Sequence, residues 1–336
     1  MNTNMPSRDT DAHAVTLVDL PTVRRLIEKS TLLDCELLAT RMSPEAYHSV
    51  ISSLLMLQQR GVYTFVSRSE KQQVVGQFRY KPDDTVAHIV YIAPELDIYT
   101  DDTAWLHVLD IMAREAGRVG AQALVGEIEE QEPLFETMRT AGYAVYARQE
   151  LWRRDALNYP SYHRPLKLTQ AKDEDSGRIS GLFMSTVPKL VQQYAIADLD
   201  MPHLIYEADG QIAASIAYSE GRHGIYMVPH IRPEYLSEAP AIIESALRAL
   251  PRAGRLPVYL CVRRYQDWLS GALEGLHFTL QSQQAVMVKH IAAWVRQTRF
   301  QTLTEQFEQA TRPAKPKTTP YGVLMSKRHS QDTDEG

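Results

Sequence analysis

Two side chains able to move a proton near neutral pH stand close together in one short segment. His230 lies three residues before Pro233, and Tyr226 lies four residues before His230. In an extended strand, alternation puts positions four apart on the same face. The imidazole and the phenol would then share one surface. An unperturbed imidazole titrates at about 6.5 and can accept a proton from an ammonium group, directly or through water. A histidine hydrogen-bonded inside the core is the other reading of His230, and the residues alone leave both open. His88 and Tyr91 stand in a similar segment earlier in the chain, where Tyr91 reads as a sheet-packing residue. Glu127, Glu129 and Glu130 form a carboxylate cluster. It reads either as a base or cation site, or as a solvated turn after a strand.

Other chemistries lack their residues. The eleven histidines and two cysteines form no HExxH string and no Cys/His spacing of a zinc site, so no metal is expected. No GxSxG, GxGxxG or GxxxxGK[ST] string occurs. Gly177–Gly181 has its serine one place too late for a nucleophile elbow, and its spacing is helical. Cys35 and Cys261 make no disulfide framework and suit a reducing compartment.

These residues must be positioned by a repeated order of elements. In the first copy, Val15–Val18 reads as a strand and Leu20–Ser30 as a helix. Ser43–Gln59 reads as a second helix, with Ser43 as cap and Pro44 at the first helical position. Val62–Ser67 and Gln73–Tyr80 read as a hairpin, followed by a strand at Val86–Ala93. The helix Asp102–Arg118 carries Trp105, Val108, Leu109 and Met112 on one face and ends at Gly120. A strand at Ala121–Glu127, a helix at Pro133–Thr140 and strand from Tyr143 to Arg153 complete the copy. The second copy repeats this order. A strand at Leu166–Leu168 precedes a helix at Ser176–Thr186 and a hairpin, His203–Glu207 with Gln211–Tyr218. Strand Gly224–Ile231, helix Ala239–Leu250, strand Leu256–Val262, helix Tyr265–Glu274 and strand Phe278–Val288 follow. Gly76–Tyr80 lies against Ala214–Tyr218, and Pro94-Glu95 against Pro233-Glu234, at near-constant separation. The expected organisation is a disordered N-terminus at 1–13, one copy over 14–154, a linker over 155–164, a second copy over 165–295, and a helix with a disordered tail over 296–336.

The chain of 336 residues is 44% apolar and 23% charged, with formal net charge −5. That balance fits a soluble globular protein and disfavours a nucleic-acid partner. No apolar run reaches the ~18–20 residues of a membrane span, and the first residues show no hydrophobic leader. A cytoplasmic chain without membrane contact is expected, and its internal duplication would let a monomer serve as a pseudo-dimer.

The order strand, helix, helix, three antiparallel strands, long helix, strand, helix, strand resembles the GNAT superfamily of N-acetyltransferases. Ile89–Glu95 looks like that family's fourth strand with its closing proline. Asp102–Arg118 and Ala121–Glu127 look like its central helix and fifth strand, and Leu134–Tyr143 like the helix and turn before its sixth strand. Met227–Glu234, Ala239–Leu250, Leu256–Val262 and Asp267–Phe278 repeat the likeness. The resemblance implies a mixed α+β sheet in two tandem domains. It also implies acetyl-CoA as co-substrate, its pantetheine lying along the splayed fourth strand and its diphosphate on the central helix N-terminus.

The motif positions depart from the family pattern. In the first copy they are Asp97, Thr100 and Asp102, with Asp101 beside them. Carboxylates there compete with a diphosphate and read more simply as capping acids. In the second copy they are Leu236, Ala239 and Ala241, so the small residues persist as alanine, while Arg232 and Ser237 offer donors nearby. Val228 and Ile231 would supply the strand edge. The tyrosine that protonates the leaving thiol in many relatives is replaced by Met138 and Gly271. The resemblance thus implies acyl transfer from acetyl-CoA to a small-molecule or peptide amine; the second copy is expected to hold the donor, with His230 and Tyr226, on residue type and spacing, as its catalytic pair. The rival reading is a catalytically silent module of the same fold that binds a metabolite or partner.

Overall fold

The computed structural model describes residues 11–41, 61–69, 72–82, 84–156, 164–192, 194 and 199–291. The helix expected over 43–59, most of the linker and the segment 296–336 lie outside them. The first half runs β1 (Asp11–Ala14), α1 (Leu20–Ile27), β2 (Thr31–Leu32), α2 (Cys35–Arg41), β3 (Val62–Arg68), β4 (Gln73–Arg79), β5 (Val86–Ala93), α3 (Thr103–Val119), β6 (Ala123–Glu129), α4 (Pro133–Thr140) and β7 (Ala144–Arg154). The second runs β8 (Leu168–Gln170), α5 (Ser176–Thr186), α6 (Lys189–Gln192), β9 (His203–Ala208), β10 (Gln211–Glu220), β11 (Ile225–Ile231), α7 (Ala239–Ala249), β12 (Val258–Arg263), α8 (Ser270–Gly275) and β13 (Thr279–His290).

One mixed sheet of 13 strands joins the halves in the order β1-β3-β4-β5-β6-β13-β7-β12-β11-β10-β9-β8, with β2 paired to β5 off that path. Among the described residues only β5/β6 and β11/β12 are parallel. The last strand of each half is exchanged. β7 runs antiparallel to β12, and β13 lies antiparallel between β6 and β7. The helices form two layers. Trp105, Val108, Leu109 and Met112 of α3 are all buried against one face of the first half, where full burial of an aliphatic or Met side chain contributes about 1.5–3 kcal/mol. α7 and α8 cover the same face of the second half. α1 packs on the opposite face, and α2 reaches across it to Tyr226 and Cys261. Gly120 closes α3 at φ 112°, a left-handed conformation that glycine adopts without strain.

The first strand begins at Asp11, inside the stretch expected to be an unstructured N-terminus, and not at Val15. The reason is a side-chain cap. Asp19 Oδ2 accepts from the Thr16 backbone N–H at 3.0 Å and from the Thr16 hydroxyl at 2.6 Å, bending the chain where the strand was expected. Leu17 and Val18 are left exposed. Arg68 donates to Asp19 Oδ1 at 2.7 Å. The Thr16 hydroxyl, opposed in part by burial, leads in holding the Asp19 carboxyl down at about 2. A carboxyl lowered in the folded state contributes stability that is complete above its unfolded value of about 3.9 and is lost as pH falls through the folded one. Urea melts between pH 5 and 2 are expected to show stability falling below about pH 4. Asp19→Ala is expected to flatten that fall; an unchanged profile would remove Asp19 from this account.

Tyr265–Glu274 was expected as one helix. It forms a 3-10 turn, Arg264–Leu269, kinked at Gln266, and then α8. The kink has a cause in the site described next.

Candidate active site

The parallel pairs β5/β6 and β11/β12 are joined only near their starts, at Val86–His88 with Ala123–Val125 and at Ile225–Met227 with Val258–Leu260. Beyond these points the strands diverge, and each gap exposes main-chain groups that need partners.

In the first half the chain itself fills the gap. β2 pairs antiparallel with β5, Thr31 opposite Ile92 and Leu32 opposite Tyr91. The Leu33 N–H donates to Val90 O at 3.0 Å, and Leu33 O accepts from Glu127 N–H at 3.0 Å. A main-chain bridge therefore spans β5 and β6. At the start of α3, Asp101 accepts from the Thr103 backbone and hydroxyl at 3.0 and 2.6 Å, the capping role expected for it. Asp102 instead accepts from the Thr137 hydroxyl at 2.9 Å.

In the second half a single side chain spans the gap. Gln266 Nε2 donates to Pro229 O at 2.9 Å, and its Oε1 accepts from Ile231 N–H at 3.3 Å. Holding that amide in place is what kinks the turn. The same divergence explains a proline inside a buried strand. The nitrogen of Pro229 faces the gap, where no ladder bond is lost. One primary amide thus sits between an acceptor and a donor two residues apart on the edge of β11.

The candidate residues fall around this gap in three ways. Tyr226, Val228 and His230 share the face of β11 opposite α7, as the alternation implies. His230 is fully buried, and its ring stands edge-on to Phe183 of α5 at 5.3 Å. Val228 is buried in an apolar cluster with Tyr226, Tyr259 and Cys261. Ile231 and Ala239 are buried on the α7 face, so only their main chain can meet a ligand. Arg232 turns back, donating from Nε to Ile212 O at 3.1 Å. Leu236 and Ser237 are exposed in the 3-10 turn Pro233–Glu238 ahead of α7, and no side chain caps α7. Ala241 is half-buried in its first turn.

Tyr226 opens onto a cavity of about 530 Å³ between the halves, which does not include His230. Its walls are α2, the ends of β4, β5 and β6, the β10–β11 turn, and Arg263 at the end of β12. Asp34 stands there with Arg79, Nε to Oδ2 at 2.6 Å, while Arg79 Nη2 reaches Glu36 Oε2 at 3.0 Å. Although burial opposes it, Arg79 holds the Asp34 carboxyl below its usual range. Burial, with Cys261, Glu127 and Cys35 adding to it, pushes the Tyr226 phenol well above its usual range. Glu127 lies inside β6 and not in a turn after it. Its Oε2 accepts from Cys35 N–H at 2.8 Å. Glu129 ends that strand, and Glu130 pairs with Arg148 at 2.5 Å.

Sequence reasoning missed β2, α2, Gln266 and Arg263. Arg263 had a signal: an arginine closing the apolar run Val258–Val262 is out of place unless something polar waits for it. Gln266 and β2 had none. Trp152 is a core residue of the second half. Among the described residues no helix is long and apolar enough to cross a membrane.

No protein-family model matches the sequence, and no curated protein matches it significantly. Solved structures do. A GCN5-related N-acetyltransferase from Sphaerobacter thermophilus aligns over 83% of this chain and 95% of its own, at 11% identity and TM-score 0.50. A Drosophila protein aligns over 84% and 99%, at 9% identity and TM-score 0.49. A tandem GNAT protein from the clavulanic acid biosynthesis pathway aligns over 84% and 99%, at 12% identity and TM-score 0.46. With the Sphaerobacter structure matched over nearly its whole length, the chain has the fold of the GCN5-related N-acetyltransferases.

Proposed function

We propose that the chain is an acyl-CoA-dependent N-acyltransferase acting on an amine, with its donor site in the gap between β11 and β12 and its first half closed to donor. The observation that carries this reading is the asymmetry of the two gaps. Main chain seals the first, through Leu33. A single rotatable amide spans the second, and that amide stands in for a pantetheine amide. Pro229 O and Ile231 N–H already hold one amide by its donor and acceptor, so the edge of β11 has the spacing a pantetheine segment needs. Ser237 and the uncapped amides around Ala241 lie where a diphosphate would meet the positive end of α7. Acetyl-CoA would supply the activated acyl group. Tyr226, kept protonated by burial, is suited to offer its hydroxyl as a hydrogen-bond donor rather than to act as a base. His230 sits behind the strand against Phe183 and reaches reacting atoms only if α5 moves.

Calorimetry with acetyl-CoA tests this. Ser237→Asp is expected to weaken binding at least about tenfold, because that exposed side chain sets like charge at the diphosphate. Ile98→Asp, at the matching exposed place in the closed half, is expected to change nothing. Equal losses would put the donor in the wrong half. Absence of binding at about 1 mM would end the acyltransferase reading. A duplicated binding module of the same fold would then stand, the reading favoured by the bridging of both gaps.

A further inference from the structure

We infer that the cavity between the halves binds a basic α-amino acid, its α-ammonium on Glu127 and Tyr226 and its carboxylate on Arg263. Tyr226 is 4% exposed and lines the cavity, yet its hydroxyl makes no hydrogen bond among the described residues. A buried phenol in that position ordinarily finds a partner. Glu127 lines the same cavity as Tyr226. Its Oε2 is used by Cys35 N–H, and its Oε1 accepts no hydrogen bond among the described residues. Arg263 Nη1 is 4.0 Å from that Oε1, too long for a hydrogen bond, and is held by Gln149 Oε1. A carboxylate oxygen and a phenol oxygen facing one space accept from an ammonium group. A guanidinium beside them pairs a carboxylate. The two charges of an α-amino acid match that arrangement. Besides Glu127 and Arg263, five carboxylates line the cavity against three lysine or arginine side chains, which favours a cationic side chain on the ligand. The groups come from both halves, Glu127 from the first and Tyr226 and Arg263 from the second. The inference rests on the acyltransferase reading only in making this amine the acyl acceptor; binding itself does not require it.

Calorimetry on the full chain with L-lysine, cadaverine and Nα-acetyl-L-lysine tests the assignment without acetyl-CoA. L-lysine is expected to bind. Cadaverine, which lacks the carboxylate, and Nα-acetyl-L-lysine, which lacks the α-ammonium, are expected to bind at least about tenfold more weakly. Glu127→Gln keeps an oxygen for Cys35 and is expected to lose about tenfold or more for L-lysine. Tyr226→Phe is expected to lose several-fold, with unchanged melting for both variants. No L-lysine binding at about 10 mM, equal binding of the three compounds, or full affinity in Glu127→Gln overturns the inference. Acetyl-CoA binding without L-lysine binding would sink this inference and leave the proposed function standing; L-lysine binding without acetyl-CoA binding would do the reverse.

Discussion

A chain ended at residue 164 is expected not to fold, and residues 165–336 alone are expected to fare no better, although each holds one whole copy of the repeated order. The exchange of β7 and β13 is the reason. Without β13, strand β6 loses its antiparallel partner from Ala123 to Glu129. β7 loses β13 on one side and β12 on the other, leaving 11 residues of strand with no neighbour. The core beneath α3 also loses Ala285 and Met287, both fully buried in it. Each ladder hydrogen bond contributes only about 0.5–1.5 kcal/mol. A whole strand interface with its buried side chains nevertheless exceeds the 5–15 kcal/mol that separates a folded domain from its unfolded chain. The bare edges would then template aggregation. Size-exclusion chromatography and circular dichroism on each piece check this. Co-expression is expected to restore a soluble one-to-one complex. A cooperatively melting 1–164 fragment would show that the exchanged strands are dispensable and that the copies are independent domains.

That exchange was not legible in the sequence, and the reason is physical. Alternation in Thr279–His290 states which side chains face a core, and it reads the same whichever strand lies alongside. Pairing choice is long-range, whereas period is local. Local signals served well where they were strong. The apolar face of α3, the Pro133 start of α4, the hairpin at Asp209-Gly210 and the helical nature of Gly177–Gly181 all appear in the structure as read. They failed where side chains bend the backbone. Asp19 moved the first strand, and Gln266 broke a helix in two. The site was half legible. The strand segment Tyr226–His230 and its shared face follow from residue spacing. The closing of the first gap does not, because Thr31-Leu32-Leu33 looks like any short connection until β5 and β6 diverge around it. Reading Asp101 as a capping acid rather than a phosphate ligand agrees with the bonds it makes, and it is consistent with a first half closed to donor.

Gly221→Ala is expected to lower stability by about 1–3 kcal/mol and to weaken whatever binds in the cavity between the halves. Gly221 and Gly224 close the β10–β11 turn, with Gly221 N–H donating to Gly224 O at 2.9 Å. The end of α2 rests directly on that turn, where His223 N–H donates to Thr40 O at 3.0 Å. A methyl group on Gly221 would stand 2.5 Å from the carbonyl carbon of Thr40, and one on Gly224 would meet the carbonyl of Ala39. Both obstacles are backbone, so no rotamer relieves the contact; α2 or the turn must move. α2 is a wall of the cavity, and the residues just before and within it carry Asp34 and Glu36 toward Arg79. A shift there spreads the ion pairs and moves the Cys35 N–H that orients Glu127. Gly177→Ala is the control. It lies in α5 with nothing within 4 Å of an added methyl, and alanine there is expected to be neutral or to stabilise by up to about 1 kcal/mol. In thermal melts Gly221→Ala should fall by several degrees while Gly177→Ala holds or rises. L-lysine affinity should follow the first change and ignore the second. Loss of stability with full affinity would mean that the cavity does not depend on where α2 meets the turn, and that the two halves could shift there without consequence for a ligand.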